Sequence, residues 1–147
     1  MNKYMQKAVN EAVKGVKQGH GGPFGAVIVK DGKVISTSHN KVLKSNDPTA
    51  HAEINAIKKA SKKLQTFDLS GCEIYTTCMP CPMCMGAIRW ANISTIYYGA
   101  TSEDANNIGF RDQVFYDESY QNIRNIDRTE CLAVFRIWSE IPNKTMY

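Results

Sequence analysis

The stretch Thr49-Ala50-His51-Ala52-Glu53 and the stretch Met79-Pro80-Cys81-Pro82-Met83-Cys84 together spell H-x-E followed by P-C-x-x-C. Imidazole and thiolate are ligands that zinc favours, and a catalytic zinc takes three protein ligands and leaves its fourth position to water. His51, Cys81 and Cys84 supply such a set, for one Zn²⁺ per chain with water as the fourth ligand. A water held this way loses its proton near neutral pH. Glu53 stands two residues from one ligand, close enough for its carboxylate to handle that proton.

Elements able to position these groups are legible around them. Cys81 and Cys84 stand at i and i+3, so on a helix they share a face. Pro80 precedes that helix, and Pro82 is tolerated in its first turn, where backbone N–H groups have no intrahelical partner. A helix N-terminus also favours the thiolate form. His51 and Glu53 begin a second helical pattern, continued by Ile54 and Ile57, so two helix N-termini can converge on one ion. Cys78 lies three residues before Cys81 and could close the site as a fourth ligand, which would make it structural. Its place at the end of a strand favours a buried small apolar role instead.

The rest of the chain reads as follows. Residues 3–18 form an amphipathic helix, with Met5, Val9, Ala12, Val13 and Val16 on one side and lysines on the other. Gly19 stops it. The run Gly19-His20-Gly21-Gly22-Pro23-Phe24-Gly25 is glycine-rich, but it has neither the lysine nor the spacing of a phosphate loop. Ala26–Val29 is a buried strand, Asp31-Gly32 a hairpin turn and Val34–Asn40 the partner strand. A polar loop spans 41–50, and a helix runs from about 50 to 64. Its lysines, Lys58, Lys59, Lys62 and Lys63, read as a solvated face. A third strand covers 72–77, the cysteine helix about 81–91, and a fourth strand 96–99. A long loop spans 101–117, a weak fifth strand lies near Asn122–Ile126, and a last helix covers 129–140, spaced by Leu132, Phe135, Trp138 and Ile141. The order predicts a three-layer α/β/α sandwich with a mixed five-stranded sheet. Cys72 and Cys131 read as core fillers, and His20 and His39 have no ligand spacing to a partner.

Length and composition agree with one domain spanning residues 1–147. The apolar share is 43% and the charged share 22%, which argues against disorder. A net charge of +4 permits an anionic partner without requiring one. Three of the five cysteines crowd into residues 78–84, which suits metal binding better than a disulfide framework and implies a reducing, cytoplasmic setting. No apolar run approaches membrane-spanning length, so no membrane partner is expected.

The two motifs resemble the zinc-dependent cytidine deaminase superfamily. The likeness covers nearly the whole chain, since that fold has this element order with its zinc ligands on the second and third helices. It implies that hydroxide attacks a ring carbon bearing an amino group, while Glu53 moves a proton from the water to the ring and then to the departing amine. One departure is Met79, where the family often has Glu before Pro-Cys; that position is not a ligand.

Further features resemble the bacterial guanine deaminases within that family. Asn40 closes the second strand, where the family places an amide on the substrate ring. Phe24 lies in the Gly22–Ala26 run typical of purine-type members, and Ala52 sits between two site residues. Gly109-Phe110-Arg111-Asp112 matches a loop whose aspartate binds substrate and transfers protons. The chain ends in Asn143-Lys144-Thr145-Met146-Tyr147, similar to a tail that folds over the active site. The resemblance therefore implies guanine and water yielding xanthine and ammonia, with Glu53 and Asp112 catalytic and Asn40, Phe24, Ala52 and Tyr147 on the substrate. It also implies a small purine base as partner and a homodimer in which the C-terminal segment can be exchanged.

Two alternatives remain at this stage. A tRNA adenosine deaminase shares Asp47-Pro48-Thr49-Ala50-His51-Ala52-Glu53. Nucleic acid is not the expected partner, because Glu130, Arg136, Glu140 and Lys144 leave the last helix and tail without net charge, and RNA binding needs a basic surface. A non-catalytic zinc-stabilised module would require Cys78 as a ligand.

Overall fold

The computed structural model describes residues 1–117 and 123–146. The chain divides into two compact units, Met1–Asp117 and Glu118–Tyr147.

The first unit is built on a sheet of order β2-β1-β3-β4. Strand β1 (Gly25–Lys30) turns into β2 (Lys33–His39) through Asp31 and Gly32, both at positive φ (49° and 73°). That is the backbone a two-residue hairpin needs to match the strands' twist. Strand β3 (Cys72–Cys78) lies antiparallel on the other side of β1, and β4 (Thr95–Ala100) runs parallel to β3, so the sheet is mixed as expected.

Alternation along β1 sends its side chains to two different cores. Val27 and Val29 pack with Ala8 and Tyr75 beneath helix α1 (Lys3–Lys17), with Tyr4 and Met5 against them. Ala26 and Ile28 face the opposite way, into a larger cluster with Ile74, Ile88 and the small residues Ala52, Ala56 and Ala60. That cluster lies under helix α3 (Ala52–Leu64) and helix α4 (Pro82–Trp90). The sheet is thus covered on both faces, the α/β/α layering read from the sequence. Burying each of Ile28, Ile74 and Ile88 fully is worth about 1.5–3 kcal/mol relative to leaving it in water.

The expected loops are more ordered than their polarity suggests. Residues 41–50 hold a single turn, α2 (Val42–Ser45). Residues 101–117 hold α5 (Ser102–Asn107) and α6 (Val114–Asp117). Helix α5 starts on a reciprocal capping box, Thr101 with Asp104, a signal visible in the sequence. The lysine face of α3 is not wholly solvated, because Lys59 and Lys63 extend to the carbonyls of Thr37 (2.8 Å) and Ile35 (3.1 Å). They satisfy acceptors on β2, an outer strand of the sheet.

In the second unit, helix α7 (Arg128–Glu140) forms where periodicity placed it. Its C-terminal carbonyls are met by Lys144 Nζ, 3.0 Å from Ser139 O and 3.3 Å from Ile141 O. Two expectations need correction. Among the described residues the sheet has four strands, not five: 123–127 carry no strand, and Asn122 lies outside the described residues. The segment Ile123-Arg124-Asn125-Ile126-Asp127 spaces its two isoleucines three apart rather than alternately and is rich in residues poorly suited to strands. Cys131 is exposed rather than a core filler, because none of the residues of α7 is buried, Phe135 and Trp138 of the apolar stripe included. Cys72 is buried in the larger cluster.

Candidate active site

Both sequence motifs arrive at helix starts. His51 is the N-cap of α3, and Cys81 the N-cap of α4. Pro82 follows Cys81 at the first helical position, where a missing N–H costs nothing. Cys84, two residues further, is fully buried. Met79 joins the end of β3 to the next strand through its N–H, 2.8 Å from Ala100 O, which fixes the entry to α4.

His51 Nδ1 lies 3.6 Å from Cys81 Sγ and 3.6 Å from Cys84 Sγ. A tetrahedral zinc with ordinary Zn–N and Zn–S lengths puts those atoms about 3.6 Å apart, so the donor set fits the ion in both chemistry and spacing. These three are the metal-ligand group found among the described residues. Cys78 is outside it: its thiol is buried and donates to Thr101 O at 3.4 Å. Burial pushes that thiol up to about 11, the behaviour of an inert cysteine rather than a ligand thiolate.

The ligands bias one another. A hydrogen bond from Cys84, aided by His51, brings Cys81 down to about 4 despite burial. The same bond to Cys81, together with burial, pushes Cys84 up. His51 is raised mainly by its hydrogen bond with Cys81. Glu53 is buried within hydrogen-bonding reach of Cys84, and burial raises its carboxyl above the usual range. A carboxyl so placed can exchange a proton with a group held at the metal point.

All of the predicted substrate residues but Tyr147 lie among the described residues. Asn40 is buried beyond the end of β2, its N–H 3.0 Å from Phe24 O and its Oδ1 3.1 Å from Val42 N. Phe24 meets Phe110 edge to face, with centroids 4.8 Å apart. Gly22 passes between these rings so closely that a Cβ there would sit 2.8 Å from each. Ala52 turns its methyl into the core, and as the first residue of α3 its N–H has no intrahelical acceptor. Asp112 is half-buried, and burial raises its carboxyl, the Cys81 charge pushing it further up and His51 opposing. Tyr147 lies outside the described residues.

Two participants were not singled out from sequence. Tyr116 donates its hydroxyl to Pro80 O, tying α6 to the residue before Cys81. Asn55 bonds the carbonyls of His39 (3.2 Å) and Ala50 (3.1 Å) through one amide, bridging β2 to the residue before His51. A single half-buried Asn inside a helix gives no signal in the sequence.

Comparison with known proteins places this geometry among relatives. The profile of the "Cytidine and deoxycytidylate deaminase zinc-binding region" matches residues 1–100. A guanine deaminase of Bacillus subtilis is 45% identical over 98% of this chain and 97% of its own length. Its X-ray structure superposes with a TM-score of 0.93, covering 100% of this chain and 99% of that one. A tRNA-specific adenosine deaminase of Aquifex aeolicus is 43% identical over 66% of this chain and 64% of its own. The solved guanine deaminase of Nitrosomonas europaea is 29% identical with a TM-score of 0.71, covering 89% of this chain and 70% of the other.

Proposed function

This chain belongs to the zinc-binding cytidine and deoxycytidylate deaminase family, and from that premise we propose that it hydrolyses guanine to xanthine and ammonia. The observation that carries the reading is the convergence of His51, Cys81 and Cys84 on one zinc-sized point with Glu53 buried beside them. Zinc held there supplies a water acidic enough to act as a nucleophile near neutral pH. Glu53 would accept that water's first proton and deliver it to a ring nitrogen as the oxygen bonds to the amino-bearing carbon, then take the remaining proton of that oxygen and pass it to the amino group as the C–N bond breaks and ammonia leaves. Asn40 and the Ala52 N–H hold polar edges of the base, and Phe24 and Phe110 form its apolar wall. Asp112 binds the base and takes part in moving protons on its far side.

The likeness to the Bacillus subtilis guanine deaminase runs through almost the whole chain, whereas that to the Aquifex aeolicus tRNA enzyme spans 66% of it. That difference favours the free base over RNA. A non-catalytic module would need Cys78 on the metal, and Cys78 bonds Thr101 instead. On the same reading the C-terminal segment with Tyr147 closes over the base, in a homodimer able to exchange that segment. Free cysteines suit a reducing compartment, and we assign the enzyme to the cytoplasm. Among the described residues no helix is long and apolar enough to cross a membrane.

Glu53→Gln tests the chemistry, since it keeps the shape and removes the proton carrier. Guanine turnover should fall by about 10²–10⁴-fold, with one zinc per chain retained. Activity within tenfold of wild type would sink the proton-carrier role.

A further inference from the structure

Away from the metal ligands, three titratable side chains form a continuous chain that the deamination chemistry does not use. Glu11 of α1 accepts from His39 Nδ1 at 2.8 Å, and His39 Nε2 lies 2.8 Å from His20 Nδ1, the two rings stacked. His39 is buried, while Glu11 and His20 are half-buried.

The direction of these bonds follows from the donors. Burial pushes the Glu11 carboxyl up, but the His39 hydrogen bond and the charges of Lys14, His39 and Lys59 hold it below its usual range, so it accepts only. His39 Nδ1 therefore carries a proton, and with the ring neutral its Nε2 is an acceptor. His20 must then donate from Nδ1. One carboxylate sets the tautomers of two successive imidazoles.

Both histidines adjoin the base-binding wall. His39 directly precedes Asn40, and its carbonyl is held by Asn55, which also holds Ala50 beside His51. His20 directly precedes Gly21, which approaches Asn40 so closely that a Cβ there would sit 2.1 Å from Asn40 Oδ1. Gly22 then passes between Phe24 and Phe110. The His20 carbonyl accepts from Leu43 and Lys44 of α2, so backbone and ring of one residue pin the loop on two sides. Helix α1 is shaped around the arrangement, since a Cβ on Gly15 would lie 2.7 Å from the His39 ring.

We propose that Glu11, His39 and His20 are positioning residues, a hydrogen-bonded relay that fixes the Gly19–Gly22 loop against Asn40 and so sets the base-binding wall without touching the base. The proposal rests on the purine-deaminase reading of the site. Its effect belongs to binding rather than to the chemical step, because the relay reaches Asn40 and the Phe24/Phe110 wall and not Glu53.

The test combines kinetics with imidazole ¹⁵N NMR on zinc-loaded protein. His20→Ala and Glu11→Ala should each raise KM for guanine about tenfold with kcat within about twofold, the loss of uniform binding. Glu11→Gln, which keeps an acceptor oxygen, should bring KM back to within about threefold of wild type, as expected for a retained hydrogen bond. In the wild-type protein both rings should be protonated at Nδ1. Unchanged KM in His20→Ala, or kcat and melting temperature falling together at constant KM, would overturn the relay. A proton on Nε2 of neutral His39 would do the same. A wild-type protein inert toward guanine would overturn the substrate reading alone, since the tautomers need no substrate to be read.

Discussion

His51 and Cys81 hold N-cap positions, where a side chain ordinarily accepts from the first-turn N–H groups, yet neither caps its helix. Both enter in the extended region, with ψ of 158° and 168°, and present their ligand atoms to a common point. The first-turn dipoles then favour the thiolate that the metal requires. These roles were legible in the spacing, because motif and helix start coincide in the sequence. Asp112 is different: it lies far along the chain from His51 and Cys81, and only tertiary packing brings its carboxyl within their electrostatic reach. No local pattern encodes that proximity. If Asp112 binds base and moves protons, Asp112→Asn should lower kcat/KM for guanine by about 10²-fold or more while leaving zinc content and melting temperature unchanged. Steady-state kinetics with metal analysis checks this, and a loss under threefold would remove Asp112 from the reaction.

The elements that carry these residues depend on a close approach between α1 and β1. A Cβ at Gly25 would lie 2.0 Å from Ala8 O and 2.8 Å from Ala12 N, so the strand runs directly against the helix backbone. Gly25 N also bonds Thr77 Oγ1 at 3.0 Å, locking β1 to β3 at the same point. Gly25→Ala should cost about 1–3 kcal/mol, seen as a lower denaturant midpoint at unchanged slope. Stability equal to wild type would mean that α1 yields without cost. Periodicity revealed α1, the hairpin, α3, β3, α4, β4 and α7, since each carries a run or a regular spacing of apolar residues in the sequence. It missed α2, α5 and α6, which are too short to have a stripe. It also placed a strand at 122–126, where apolar residues are present but a pairing pattern is not. The partnership of His20 and His39 was hidden for a related reason, because side chains 19 positions apart meet only through the fold.

At the scale of the whole molecule the question is which aminated ring this site receives. The first unit holds the metal ligands, Glu53, Asn40 and Asp112, and the family profile matches residues 1–100 of it. On the proposed reading, selectivity for the base falls to the Phe24/Phe110 pair, the glycine loop and Asp112. The basic residues most concentrated in sequence, Lys58 to Lys63, include two that reach carbonyls of β2, which leaves fewer of them for RNA phosphates. The measurement that bears most directly on this account is ammonia release by zinc-loaded protein given guanine, guanosine, adenine, cytosine or a tRNA anticodon stem-loop in parallel. Turnover of guanine alone is predicted. Release from the stem-loop with none from guanine would contradict the account and make the chain an RNA deaminase.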